Sequence, residues 1–192
     1  MPYISSCEHD IFISYAHIDN EPLVKDQDGW ITFFHRALRA RLRQALGAEV
    51  DIWRDVRLRG NDYLSDTIVQ KLPSIAAMVC IVTPRFVLSE WCRREVEEFF
   101  QAVDETSVLR INNKARIFKV VKSPVSRDKQ PQQLQGLLGY EFFEIDEQSG
   151  VPYEFLPELG DEAEIKFFAE LEKLVYDLAD LLILLKGKQE TK

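Results

Sequence analysis

Trp91 and Glu95 stand four residues apart in the segment Ser89-Glu-Trp-Cys-Arg-Arg-Glu95. Four residues along a helix return to the same face, so an indole and a carboxylate lie one above the other, and Phe99 continues that face. Chemistry on a sugar has a use for both groups. A flat apolar platform stacks on a ring or base, while a carboxylate hydrogen-bonds ribose hydroxyls and stabilises an oxocarbenium-like transition state. The same spacing equally fits an indole packed in the core and one more solvated acid beside Glu97 and Glu98, and spacing alone leaves both readings open.

Other chemistries find less support. His9, His17 and His35 lack metal-ligand spacing, and Cys92 falls inside the helix, so no zinc site is expected. Gly60, Gly136 and Gly139 form neither a dinucleotide-binding GxGxxG nor a phosphate-binding loop, so a Rossmann fingerprint and a Walker ATPase are both unsupported. Cys7, Cys80 and Cys92 are an odd set without CxxC spacing, which suits reduced thiols and excludes a disulfide framework.

The elements that must position Trp91 and Glu95 are legible in the apolar pattern. Asp10-Ile-Phe-Ile-Ser14 reads as a buried central strand. Trp30, Phe33, Phe34, Leu38, Leu42 and Leu46 mark an amphipathic helix stopped by Gly47, with Arg36, Arg39, Arg41 and Arg43 on its solvated face. Glu49 to Trp53 alternates as a second strand and runs into the charged loop Arg54 to Asn61. Asn61 or Asp62 then caps a helix striped by Leu64, Ile68 and Leu72, which Pro73 stops. Ile75 to Thr83 is continuously apolar, as a parallel strand covered on both faces must be, and Pro84 breaks it. Ser89 caps a helix running to about Val103. Arg116 to Lys122 and Glu141 to Ile145 supply a fourth and a fifth strand. Asp161 to Lys186 is a long helix with Ile165, Phe168, Leu171, Val175, Leu178, Leu182 and Leu185 on one stripe, ended by Gly187. Alternating strands and helices predict an α/β fold whose ligands bind beyond the carboxyl ends of parallel strands. Ser14 to Asn20, Trp53 to Asn61 and Thr83 to Glu95 leave those ends and are expected to converge.

At 192 residues the chain is one domain, or one domain with an appended helix. Hydrophobic residues at 46% and charged residues at 29% exclude collagen-like and disordered readings. No apolar run approaches the ~18 residues of a membrane span, and the first twenty residues lack a signal-peptide pattern, so a cytoplasmic location and no membrane are expected. Residues 140–180 hold 13 Asp or Glu against 2 Lys, which leaves 19 acids against 22 bases elsewhere. The net charge of -8, and first-helix arginines without interleaved aromatics, argue against nucleic acid.

Three segments together resemble a bacterial Toll/interleukin-1 receptor (TIR) domain. Asp10-Ile-Phe-Ile-Ser-Tyr-Ala-His-Ile-Asp19 is similar to the family's first box, a strand ending in Ser-Tyr with an acid shortly after. Trp53-Arg-Asp-Val-Arg-Leu-Arg-Gly60 resembles the second box, which opens the BB loop. Ser89-Glu-Trp-Cys-Arg-Arg-Glu95 resembles the Ser-x-Trp-Cys-x-x-Glu signature of TIR domains that cleave NAD. The three boxes are in family order and cover about residues 8–105. Arg59 stands where many members have proline. Arg57 and Arg59 are read either as partners of a diphosphate or of a neighbouring molecule's acids, or as solvated.

The resemblance implies a flavodoxin-like three-layer fold with a five-stranded parallel sheet. It sets residues 1–160 as the TIR domain, 161–187 as a helix packed on or appended to it, and 188–192 as a polar tail or linker start. It implies an NAD+ glycohydrolase that releases nicotinamide and linear or cyclic ADP-ribose, is activated by oligomerisation, and serves bacterial anti-phage defence. NAD is then a substrate and no cofactor is needed. Glu95 falls on the catalytic position and Trp91 beside it, with Ser14 and Tyr15 at the pocket floor and Trp53, Arg54 and Asp55 on the loop side. The implied partners are further TIR copies and a possible further domain or partner protein. The rival reading is a non-catalytic TIR scaffold for signalling assembly. A receiver or nucleotide binder would need clustered carboxylates where Ser14 and Tyr15 stand.

Overall fold

The apolar run after Glu8 forms the strand β1 (His9–Ser14), and its residues from Asp10 on are buried. The structure, a computed structural model, describes residues 1–54, 70–105, 110–111 and 114–190. With β2 (Ile52–Arg54), β3 (Ile75–Val82), β4 (Ile117–Val121) and β5 (Tyr140–Glu141), β1 makes a five-stranded sheet in the order 2-1-3-4-5. Every neighbouring pair is parallel, with Ser14 beside Cys80 and Cys80 beside Lys119. All eight residues of β3 are buried, which explains its unbroken apolar character.

Helices cover both faces. α1 (Trp30–Leu46) buries Trp30, Ile31, Phe34, Leu38 and Leu42, a stripe at helical period. Gly47 ends it at φ +61, a left-handed conformation that glycine adopts without steric cost. α1 shares one core with Phe142 of the chain after β5 and with Phe167, Leu171, Leu174, Leu178 and Leu182 of the last helix. The opposite face carries α2 (Pro84–Leu88), α3 (Glu90–Glu105) and Leu134 of α4 (Gln132–Gln135). Thr83 Oγ1 accepts the Phe86 N–H at 3.0 Å and caps α2, an element the sequence reading did not assign. Ser89 Oγ accepts the Cys92 N–H at 3.2 Å, the cap expected for α3.

Two expected elements differ. The strand expected over Glu141 to Ile145 divides: Tyr140–Glu141 joins the sheet, and Phe143–Ile145 pairs antiparallel with Pro152–Glu154 as a separate ribbon. Phe142, between them, turns into the aromatic core, 5.2 Å from Phe167 and 5.6 Å from Trp30 by ring centroids. Period-two apolarity marks a strand but not its partner. The last helix, α5 (Asp161–Glu190), passes through Gly187 instead of ending there. Buried Leu181 and Leu182 and the bonds of Gln189 to Ser5 and Ser6 offset the ~1 kcal/mol that an interior glycine costs a helix. Ile165, expected on the buried stripe, is 69% exposed, and Phe167 occupies the core instead. The helix cap at Asn61 or Asp62, Leu64 and Ile68 lie outside the described residues. Leu72, expected on that helix, is buried in a short turn, Leu72–Ser74.

The first-helix arginines are paired within the chain, Arg36 with Asp28, Arg39 and Arg43 with Glu49, and Arg41 with Glu172. Exposed pairs of this kind contribute about 0–1 kcal/mol each. No helix among the described residues is long and apolar enough to cross a membrane.

The amino ends of the strands are tied by Asp10, a fully buried carboxylate. It accepts backbone N–H groups from Tyr3 at 2.6 Å, Ile4 at 2.9 Å and Asp51 at 2.8 Å. Asp10→Ala orphans all three donors and is expected to cost about 3 kcal/mol or more, with Asp10→Asn costing less because one acceptor remains. Phe142→Ala is expected to cost roughly 3–5 kcal/mol. Both are read as falls in the urea unfolding midpoint at unchanged slope.

Candidate functional site

The carboxyl ends of β1 and β3 gather polar groups on the α3 face of the sheet. Ser14, the last residue of β1, shares the parity of Phe12 and is 1% exposed. Its hydroxyl donates to Glu95 Oε2 at 2.5 Å. Trp91, one turn earlier on α3, donates its indole Nε1–H to Glu95 Oε1 at 2.8 Å. An indole N–H can only donate, so both carboxylate oxygens serve as acceptors. Glu95 is 4% exposed, and Phe99 beyond it is fully buried. At this spacing the acid is therefore not solvated, and the indole is half-buried against the α3-side core.

Cys92 lies between these groups in the first turns of α3. Burial is the main cause that pushes its thiol up to about 12, and the Glu95 carboxylate adds to it. Cys80, beneath it on β3, is raised well above the usual thiol range by burial and again by Glu95. Both thiols stay protonated at neutral pH and offer no thiolate nucleophile. Among the described residues no group of three or more His, Cys, Asp or Glu side chains could hold a metal ion.

Two of the remaining residues selected from the sequence lie on the α1 side of the sheet. Tyr15 is buried in the α1-side core, its ring 5.2 Å from His17. Arg54 aligns with Ile13 of β1 and donates to Thr32 Oγ1 on α1 at 3.1 and 3.2 Å, so it too lies on the α1 side. Trp53 keeps to the α3 side, stacked on His9 at 5.2 Å and packed on Phe12 at 4.8 Å, with Lys71 over its ring. Asp55, Arg57, Arg59 and Gly60 lie outside the described residues.

Sequence reasoning missed a second group of polar residues at the same sheet edge. Thr83 Oγ1 donates to Asp19 Oδ2 at 2.6 Å. Lys122, just past β4, donates its ammonium to Glu154 Oε2 at 2.5 Å, and Ser123 donates to the other oxygen. The Lys122 ammonium also sits 5.6 Å over the Trp30 ring. Asp19 was visible as the acid after Ser14-Tyr15. Glu154 gave no signal, because only the ribbon's pairing brings it to Lys122.

The family model described as TIR domain matches residues 11–151. A comparison with curated proteins finds no match. Among solved structures, the TIR domain of the Toll-related receptor TRR-2 from Hydra magnipapillata aligns at 12% identity and a TM-score of 0.47, covering 88% of this chain and 98% of that one. A TIR-STING receptor from C. gigas aligns at 16% identity and 0.42, covering 70% of this chain and 37% of that one, so this chain spans little more than a third of it. The TIR domains of the activated Roq1 resistosome, which recognises the pathogen effector XopQ, align at 13% identity and 0.40, covering 94% and 82%. With the family model matched across most of the chain, on a parallel sheet of order 2-1-3-4-5, this protein belongs to the TIR domain family.

Proposed function

We propose that the chain is an NAD+ glycohydrolase that breaks the bond between nicotinamide and ribose, with Glu95 as its catalytic carboxylate. The observation that carries this reading is the pose of Glu95: nearly buried at the carboxyl ends of β1 and β3, with Ser14 and Trp91 donating to its two oxygens. A carboxylate withdrawn from water acts on a developing positive charge with far less screening than one in bulk solvent. As the glycosidic bond breaks, the C1′–N bonding electrons pass to the pyridine nitrogen and nicotinamide leaves neutral, so no general acid is required. The positive charge left on the ribose is then stabilised by Glu95, and water takes C1′.

In this reading Trp91 supplies the apolar platform beside the ribose, and Ser14 and Trp91 together fix the carboxylate. Tyr15 and Arg54, on the α1 side, and Trp53, on the α3 side of β2, are kept with Asp55 as substrate-binding residues in this reading. NAD serves as substrate. The motif Ser89 to Glu95 supports placing the chain in the NAD-cleaving branch and, with it, in bacterial anti-phage defence within the cytoplasm. Activation through contacts between TIR copies, or through a further domain or partner protein, belongs to the same reading.

Nicotinamide release from NAD, measured at high protein concentration with a crowding agent, tests this directly. Glu95→Gln keeps the shape of the side chain and one acceptor oxygen while removing the charge, and is expected to lower turnover about 100-fold or more in a protein that still unfolds cooperatively. Turnover per molecule is expected to rise with protein concentration. Equal activity in wild type and variant would sink the assignment of Glu95, and silence in both would leave the TIR scaffold as the better reading.

A further inference from the structure

Asp19 is a second carboxylate at the carboxyl ends of β1 and β3. It sits in the short turn His17–Asn20 that follows β1, with its N–H donating to Ala16 O at 2.9 Å. The turn is held from both sides. Thr83 donates to Asp19 Oδ2, and Asn20 Oδ1 accepts the Thr32 N–H at 2.8 Å. Gly29 lets the chain before α1 close against this turn, since a Cβ there would lie 1.8 Å from the Asn20 carbonyl oxygen. Asp19 Oδ1 takes no hydrogen bond among the described residues, and the side chain is half-buried. Ser14 ends β1 and Thr83 directly follows the neighbouring β3, so Glu95 and Asp19 are held by residues at the same end of two paired strands.

The inference rests on the NAD-cleaving reading and deepens it. When water attacks C1′, its oxygen forms the new C–O bond and one of its protons must go to a base. Glu95 is committed through both oxygens to hydroxyl and indole donors. The geometry points to Asp19 as the general base of the hydrolysis, its Oδ1 taking the proton of the attacking water and passing it to solvent. Burial, the largest influence, raises its carboxyl above the ordinary range. Thr83's hydrogen bond, Lys122 from the end of β4 and Arg85 from α2 act the other way, whereas Glu154 from the ribbon adds to the rise. Cys92 from α3 stays neutral and contributes no charge. A carboxylate raised in this way is a better base than a solvated one.

A nucleophile without a proton separates this role from a structural one. A pyridine base that stays unprotonated over the pH range attacks C1′ through its lone pair and has no proton to give up, so exchange of nicotinamide for that base needs Glu95 but not Asp19. Asp19→Asn is expected to lower hydrolysis about 100-fold while base exchange persists at the wild-type rate. In wild type the ratio of hydrolysis to exchange falls as acid protonates Asp19, at a pH above that of an ordinary carboxylate. In Asp19→Asn the ratio no longer depends on pH. Thr83→Val removes the donor that favours the charged form, so the fall moves to higher pH, and this shift decides the matter if Asp19→Asn does not fold. Hydrolysis and exchange falling together, or neither falling, overturns the role of Asp19 while leaving that of Glu95 intact. A wild type that releases no nicotinamide and exchanges no base overturns both.

Discussion

All eight residues of β3 are buried, and strands pair with it on both sides, so its two faces and two edges are closed to water. Helices then cover both faces, and buried Asp10, Ser14, Thr83 and Lys122 stand where the strands begin or end. At the amino ends, Asp10 takes three backbone N–H groups, and Arg116 donates to the carbonyls of Ile75 and Ala76 at 2.6 and 2.7 Å. Those bonds satisfy backbone groups and hold the strands together. At the carboxyl ends, Ser14 and Thr83 meet carboxylates instead, and Lys122, just past β4, does the same. One end of the sheet is tied by bonds to its backbone, and the other gathers side chains at the end where parallel α/β sheets generally bind ligands.

The two faces of the sheet carry separate cores. On the α1 side, Trp30, Phe34, Phe142 and Phe167 pack edge to face or stacked, with ring centroids 5.1–6.4 Å apart. Such aromatic packing contributes beyond the area it buries and fixes α1 and α5 against the sheet. On the α3 side Phe12, Phe86 and Phe99 share the core with Met78, Cys80, Cys92 and Val96. Across this face a glutamate on the helix reaches a serine on the strand. The Ser89 cap fixes where α3 begins and therefore which residues face the end of β1.

The sequence by itself determined much of this. Unbroken apolar runs identified β1 and β3 because a strand covered on both faces has no polar alternation, and the stops at Gly47 and Pro84 follow from local backbone sterics. The four-residue spacing of Trp91 and Glu95 put them on one helix face, which is a property of the helix alone. What lay opposite that face was not local information. Tertiary structure decided that Ser14 meets Glu95, that Asp19 folds back onto Thr83, and that Glu154 crosses to Lys122, because each pair joins residues distant in the chain through the register of the sheet. It also decided that Phe142 leaves the sheet for the core and that α5 runs past Gly187, where packing outweighs the local preference of a single residue.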